Sequence, residues 1–230
     1  MSILPKDEPV KPKKAPHNFY IYGKPMAGKS YFASFFSHPL VLNTDGNAAQ
    51  GTAPSIQLRN IRGANGKLTQ NVIAQLDEII LELQSKQTTF KTIIVDVIED
   101  LCVMIEQAIC IEQGVQALGD IPYGKGFSTM KSILQRFVMD LKALPMDVIF
   151  ISREIEVTDE STGHTEVKSG LKDSYYNIVT GNCDLVIRCQ KLGKDKYVRM
   201  VKNKRADYKP EDIENERTRK LLNGCVGMFN

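Results

Sequence analysis

Gly23-Lys24-Pro25-Met26-Ala27-Gly28-Lys29-Ser30 fits the spacing G-x-x-x-x-G-K-[ST], which suits a loop whose backbone N–H groups cradle a triphosphate. Glycines let the chain curl close to phosphate oxygens, and the N-terminus of a following helix adds positive dipole there. Lys29 is expected to reach the β- and γ-phosphates and Ser30 to place its hydroxyl on Mg²⁺. The nucleotide-binding set is therefore Gly23, Lys24, Pro25, Met26, Ala27, Gly28, Lys29, Ser30 and Tyr31, with ATP and Mg²⁺ as cofactors. A second acid must hold the metal's water shell, and Thr92-Ile93-Ile94-Val95-Asp96 supplies one at the end of an apolar run. Asp96 is the metal-side acid on this reading, with a simple helix N-cap as its structural alternative. Hydrolysis also needs a base to polarise water. Asp45, in Leu42-Asn43-Thr44-Asp45-Gly46, is the preferred residue; Glu99 and Asp100 compete with it, and an Asx turn before Gly46 is the structural alternative.

These residues need elements to carry them. Short apolar, β-branched runs at Phe19 to Tyr22, Leu40 to Leu42, Thr92 to Val95 and Val148 to Ser152 read as strands. Helical patterns intervene at Lys29 to Ser37, Gln70 to Gln84, Ile98 to Leu118 and Ser128 to Leu144. Strands separated by helices predict an α/β fold with a mainly parallel twisted sheet, covered by helices on both faces. Two hairpins follow, Ile155 to Val157 with Glu166 to Lys168 and Leu185 to Cys189 with Tyr197 to Val201, and they predict antiparallel strands added at one edge. A last helix is expected over Glu211 to Leu222, stopped by Gly224.

With 230 residues the chain has room for one core and a tail. Residues 1–17, with four prolines and four lysines, read as a flexible basic tail, and residues 18–230 as a single domain. A hydrophobic fraction of 42% with 25% charged residues excludes wholesale disorder and a disulfide scaffold. The net charge of +3 is too mild to establish nucleic-acid binding by itself. No run of roughly 18 apolar residues is present, so no membrane association is expected and the compartment is cytoplasmic. Cys102, Cys110, Cys183, Cys189 and Cys225 form no C-x-x-C pair and read as buried thiols.

Together the P-loop, the acid strand and Leu42 to Gly46 resemble the RecA-fold recombinases. Within them they resemble the phage-encoded RecA-core single-strand annealing ATPases, the phage nucleotide-binding AAA proteins. The resemblance implies a RecA-like P-loop NTPase core and a P-loop ATPase stimulated by single-stranded DNA. It also implies a homo-oligomeric ring or filament with ATP between subunits, and host-cell cytoplasm as the compartment. Relatives carry a catalytic glutamate where this chain has the shorter Asp45, which implies slow hydrolysis. Val201-Lys202-Asn203-Lys204 is similar to the Lys-Asn-Lys of RecA filaments, and so implies that Lys202 and Lys204, with Arg205 beside them, act in trans on a neighbour's γ-phosphate. Ser152 and Arg153 stand where relatives place a polar γ-phosphate sensor, usually glutamine.

The family's two DNA loops correspond to Gly114 to Phe127 and Glu154 to Asn177. In the first, Lys125 lies between Tyr123 and Phe127, a pattern suited to holding a phosphate with one group and a base face with either ring, without sequence preference. In the second, Lys168 and Lys172 are the candidate DNA contacts, near Tyr175, Tyr176 and a solvated His164. By family analogy a phage single-strand DNA-binding protein joins single-stranded DNA as a partner. Rival functions are a non-hydrolysing, ATP-regulated annealing module, a helicase or helicase loader, and a small-molecule P-loop kinase, although no arginine-rich lid is evident.

Overall fold

The computed structural model describes residues 7–8, 15–85, 87–159 and 162–229. Most of the expected basic tail lies outside these residues. From His17 onward the chain is held: its backbone N–H donates to Asp184 Oδ2 at 2.9 Å, and its ring nitrogen Nδ1 lies 2.8 Å from Asp147 Oδ1.

Continuous apolar runs form the inner strands of the central sheet, as strands covered on both faces require, and shorter or more polar strands complete the set. They are β1 (Asn18–Gly23), β2 (Pro39–Asn43), β3 (Ser55–Gln57), a separate two-stranded hairpin of β4 (Ile61–Arg62) and β5 (Leu68–Gln70), β6 (Thr92–Asp96), β7 (Asp147–Thr158), β8 (Thr165–Ser169), β9 (Leu185–Leu192) and β10 (Lys196–Lys204). The order is β10-β9-β1-β7-β6-β2-β3, parallel except for β10, with β8 pairing only to β7. Period-two alternation divides the side chains between two cores. Tyr20, Tyr22, Ile93, Val95 and Phe150 face one core, which is closed by α2 (Val72–Ser85), α3 (Ile98–Gln113), α4 (Lys125–Ala143) and α5 (Asp173–Thr180). Phe19, Ile21, Ile94, Ile149 and Ile151 face the other, closed by α1 (Lys29–Ser34) and, near the C-terminus, by Leu222 of α6 (Glu216–Asn223) with Cys225 and Met228.

The expected α/β architecture, a mainly parallel sheet with helices on both faces, is the one observed. Its details differ for local reasons. Helix α1 stops before Ser37 because Pro39 disfavours helical backbone just ahead of it, and His38 takes φ 43°. The first hairpin does not sit at a sheet edge: β7 is 12 residues long and overruns its buried half, and β8 pairs with that extension alone, at Glu154 to Thr158. Only β10 closes an edge antiparallel. The last helix is split: Ile213 is buried, and Asn215 starts α6 by accepting from the Thr218 N–H at 3.1 Å. Strand β3, the β4–β5 hairpin and α5 carry too few periodic residues to announce themselves.

The span Ile98–Asp120, with mean hydropathy 1.2, is long and apolar enough to cross a membrane by length and composition. Here Leu101, Ile105 and Ile109 are buried in the first core, so it serves as a core helix. All five cysteines are buried free thiols.

Candidate functional site

Because β7 lies between β1 and β6, the carboxyl ends of the phosphate-loop strand and the acid strand flank that of β7. In register, Ile151 stands level with Asp96, and Tyr22 and Gly23 stand beside Ser152 and Arg153. Ligands of open α/β sheets bind at such carboxyl edges.

The loop from Gly23 to Gly28 is shaped by its glycines. A Cβ on Gly23 would lie 2.2 Å from the Cys189 carbonyl of β9, so only glycine allows β1 and β9 to approach as they do. Gly28, at φ +79°, turns the chain into α1, and the ring of Tyr197 from β10 packs over it. Met26 is 89% exposed, and Tyr31, stacked edge-on against Phe35 at 4.7 Å, is also exposed. Lys24 reaches out to Glu156 on the β7 extension.

Lys29 folds back over the loop, donating from Nζ to the Gly23 carbonyl at 2.8 Å and the Lys24 carbonyl at 2.9 Å. Burial pulls its ammonium below the ordinary lysine value, while the Asp96 charge opposes this. Ser30 Oγ donates to Asp96 Oδ2 at 2.6 Å. Burial pushes the Asp96 carboxyl up, with the Asp45 charge adding to it and Ser30, Lys29 and Arg153 acting against it. A hydroxyl and a carboxylate side by side are two hard oxygen ligands, and they fit Mg²⁺ completed by water and phosphate oxygens. Among the described residues no cluster of three His, Cys, Asp or Glu side chains offers a rival metal site.

The three base candidates are in different situations. Asp45 forms an Asx turn: Oδ1 accepts from the Asn47 backbone N–H at 2.9 Å and Oδ2 from its side-chain amide at 2.6 Å. Asp100 receives both terminal nitrogens of Arg153, each at 2.6 Å. Glu99, in the first turn of α3, accepts through Oε1 from the Ser152 hydroxyl and from the Arg153 N–H at 3.1 Å. Its Oε2 is buried, and no described protein group donates to it. Behind Ser152 the chain of hydrogen bonds continues through Ser169 at 2.8 Å to the Tyr20 hydroxyl at 2.6 Å. Tyr20 and Ser169 were missed from sequence because they lie 149 positions apart and only the sheet brings them together.

The remaining predicted residues fall into two further regions. Tyr123, at φ 59° and 96% exposed, lies in a short 3₁₀ turn, and Lys125 and Phe127 lie in the first turn of α4 rather than in a loop. Both rings are exposed, so they do not pack inward. Phe127 lines an open groove of about 600 Å³ with Arg62, Val103 and Glu106. Lys172 joins this region through its ion pair with Glu106 at 2.9 Å, and Lys168 lies 3.8 Å from Asp173. The second expected loop is therefore corrected: its described residues form the end of β7, β8 and α5. Tyr175 is buried with its hydroxyl on Glu106, and Tyr176 packs edge-on against Tyr20. Lys202 sits at a bulge in β10 and is exposed. Lys204 pairs with Asp207 at 3.5 Å and stands opposite Leu185, itself beside Phe19, near the amino-terminal ends of the parallel strands. That edge is opposite the chain's own phosphate loop. Arg205 is bound to the Gly181 and Cys183 carbonyls and to Asp184.

No curated protein matches the chain. A solved structure described as the RadB recombinase is similar over 83% of this chain and 83% of that one, at 14% identity and a TM-score of 0.44. A family model described as AAA domain matches residues 15–212, a span that includes the phosphate loop, the acid strand and the whole sheet, and the chain belongs to that family of AAA domains.

Proposed function

We propose that the protein is an ATP-dependent, single-stranded-DNA-binding recombinase or annealing protein that hydrolyses ATP and assembles as a ring or filament with the nucleotide between subunits. The observation that carries the ATPase part is the Ser30–Asp96 pair beside a phosphate loop whose lysine is already gathered over it. A nucleotide triphosphate would replace the two loop carbonyls as partner of Lys29, exchanging neutral acceptors for charged ones.

The DNA part is supported by Tyr123 and Phe127, both exposed on either side of Lys125. Stacking bases would cover both rings. Assembly is supported by the placement of Lys202 and Lys204 away from their own phosphate loop, as residues that act on a neighbouring subunit's nucleotide would be. A phage single-strand DNA-binding protein and a cytoplasmic setting in the host belong to the same reading, as does the division into a basic tail and one ATPase domain.

The test is ATP hydrolysis with and without single-stranded DNA at several salt concentrations, with Lys29→Ala as the blank. Stimulation that fades at high salt is the expected result, because phosphate contacts weaken as counterions compete. Lys202→Ala with Lys204→Ala should keep ATP binding and lose the stimulation. The Asx turn at Asp45 favours a second reading, an annealing module that binds ATP without hydrolysing it. Intact ATP binding with no phosphate release would select that module, and DNA-indifferent hydrolysis would select a kinase or another P-loop role.

A further inference from the structure

We infer that Glu99, rather than Asp45, is the general base of this site, its Oε2 taking the proton from the water that attacks the γ-phosphate. The inference rests on the proposed ATPase reading. In the reaction the water oxygen bonds to the γ-phosphorus as the bond from that phosphorus to the β,γ-bridging oxygen breaks. One water proton passes to Glu99, and ADP and inorganic phosphate are released.

Three observations converge on Glu99. The first is its position. The Arg153 N–H that its carboxylate accepts belongs to the residue paired with Gly23, and Asp96 stands level with Ile151, two residues earlier on the same strand. Glu99 thus sits over the end of β7, between the phosphate loop and the metal-side acid, and its charge acts on the Lys29 ammonium.

The second is its hydrogen bonding. Oε1 is oriented by the Ser152 hydroxyl and the Arg153 N–H, the kind of support that fixes a base for its task. Oε2 is a buried acceptor to which no described protein group donates. A buried acceptor left without a donor costs about 1–3 kcal/mol, a cost that a water admitted with the nucleotide would remove.

The third is the state of its rivals. Both Asp45 oxygens accept from Asn47, and both Asp100 oxygens accept from Arg153. Each rival oxygen is thus already engaged by a donor, whereas Oε2 of Glu99 has none among the described residues.

The experiment is single-turnover phosphate release by the full chain with Mg²⁺ and single-stranded DNA, run for the wild type, Glu99→Gln, Glu99→Asp and Asp45→Asn, with ATP affinity and melting temperature measured alongside. Glu99→Gln should lose about 10²–10⁴-fold in rate, the usual share of general base catalysis, with ATP affinity unchanged. Asp45→Asn should keep most of the rate. Glu99→Asp retains a carboxylate and should exceed Glu99→Gln, which separates catalysis from packing should the glutamine variant melt early. A near-wild-type rate in Glu99→Gln, equal rates in the two Glu99 variants, or a loss in Asp45→Asn as large as that in Glu99→Gln would overturn the assignment. ATP binding without phosphate release in the wild type would overturn the hydrolysis reading itself, and the assignment with it.

Discussion

The Ser30 hydroxyl and the Asp96 carboxylate meet at 2.6 Å across 66 positions of sequence, joining the first turn of α1 to the end of β6. This contact turns a phosphate-binding loop and an isolated acid into one site.

Lys29→Ala should weaken ATP binding about 10- to 100-fold, since hydrogen bonds to charged groups contribute about 1.5–3 kcal/mol and each 1.4 kcal/mol is tenfold. Titration with a fluorescent ATP analogue measures it. Unchanged affinity would remove the phosphate loop from nucleotide binding.

Gly23→Ala should destabilise the fold independently of nucleotide. Its Cβ would meet the Cys189 carbonyl at 2.2 Å, and overpacking of this kind costs about 1–3 kcal/mol. For a chain of this size that lowers the melting temperature by about 2–12 °C. A melt within a degree of wild type would contradict the close approach of β1 and β9.

Burial raises the Glu99 carboxyl above its ordinary value of 4.5, against the opposing hydrogen bonds from Ser152 and Arg153. A carboxyl whose folded value is raised favours the folded state while protonated, and that contribution is lost as the pH rises through the folded value. Glu99→Gln does not titrate, so its melting temperature should rise relative to wild type as the pH is raised above 4.5. A difference that stays flat or shrinks across this range would contradict the burial effect.

Tyr123→Ala should leave the melting temperature unchanged, because the ring is 96% exposed, while weakening single-stranded DNA binding by about 1–3 kcal/mol. Lys125→Ala should reduce the salt slope of that binding by about 0.7, the share of one phosphate contact on a single strand. Fluorescence anisotropy with a labelled oligonucleotide at several salt concentrations reads both. Wild-type affinity in Tyr123→Ala, or an unchanged slope in Lys125→Ala, would move the DNA interface elsewhere.

Local chemistry alone made much of this legible. The phosphate loop is a run of eight residues whose types are dictated by backbone curvature and charge, and continuous apolar strands such as Thr92 to Val95 announce a sheet buried on both faces. Asp96 could be named because it ends such a run. The carboxylates could not be ranked in that way. Glu99 and Ser152 are 53 positions apart, and Ser152 and Ser169 meet only because β7 overruns the sheet and β8 turns back upon it. Which carboxylate keeps an oxygen without a donor depends on the order of the strands and on who the neighbours are. Those contacts are made across the sheet, and no periodicity along the chain encodes them.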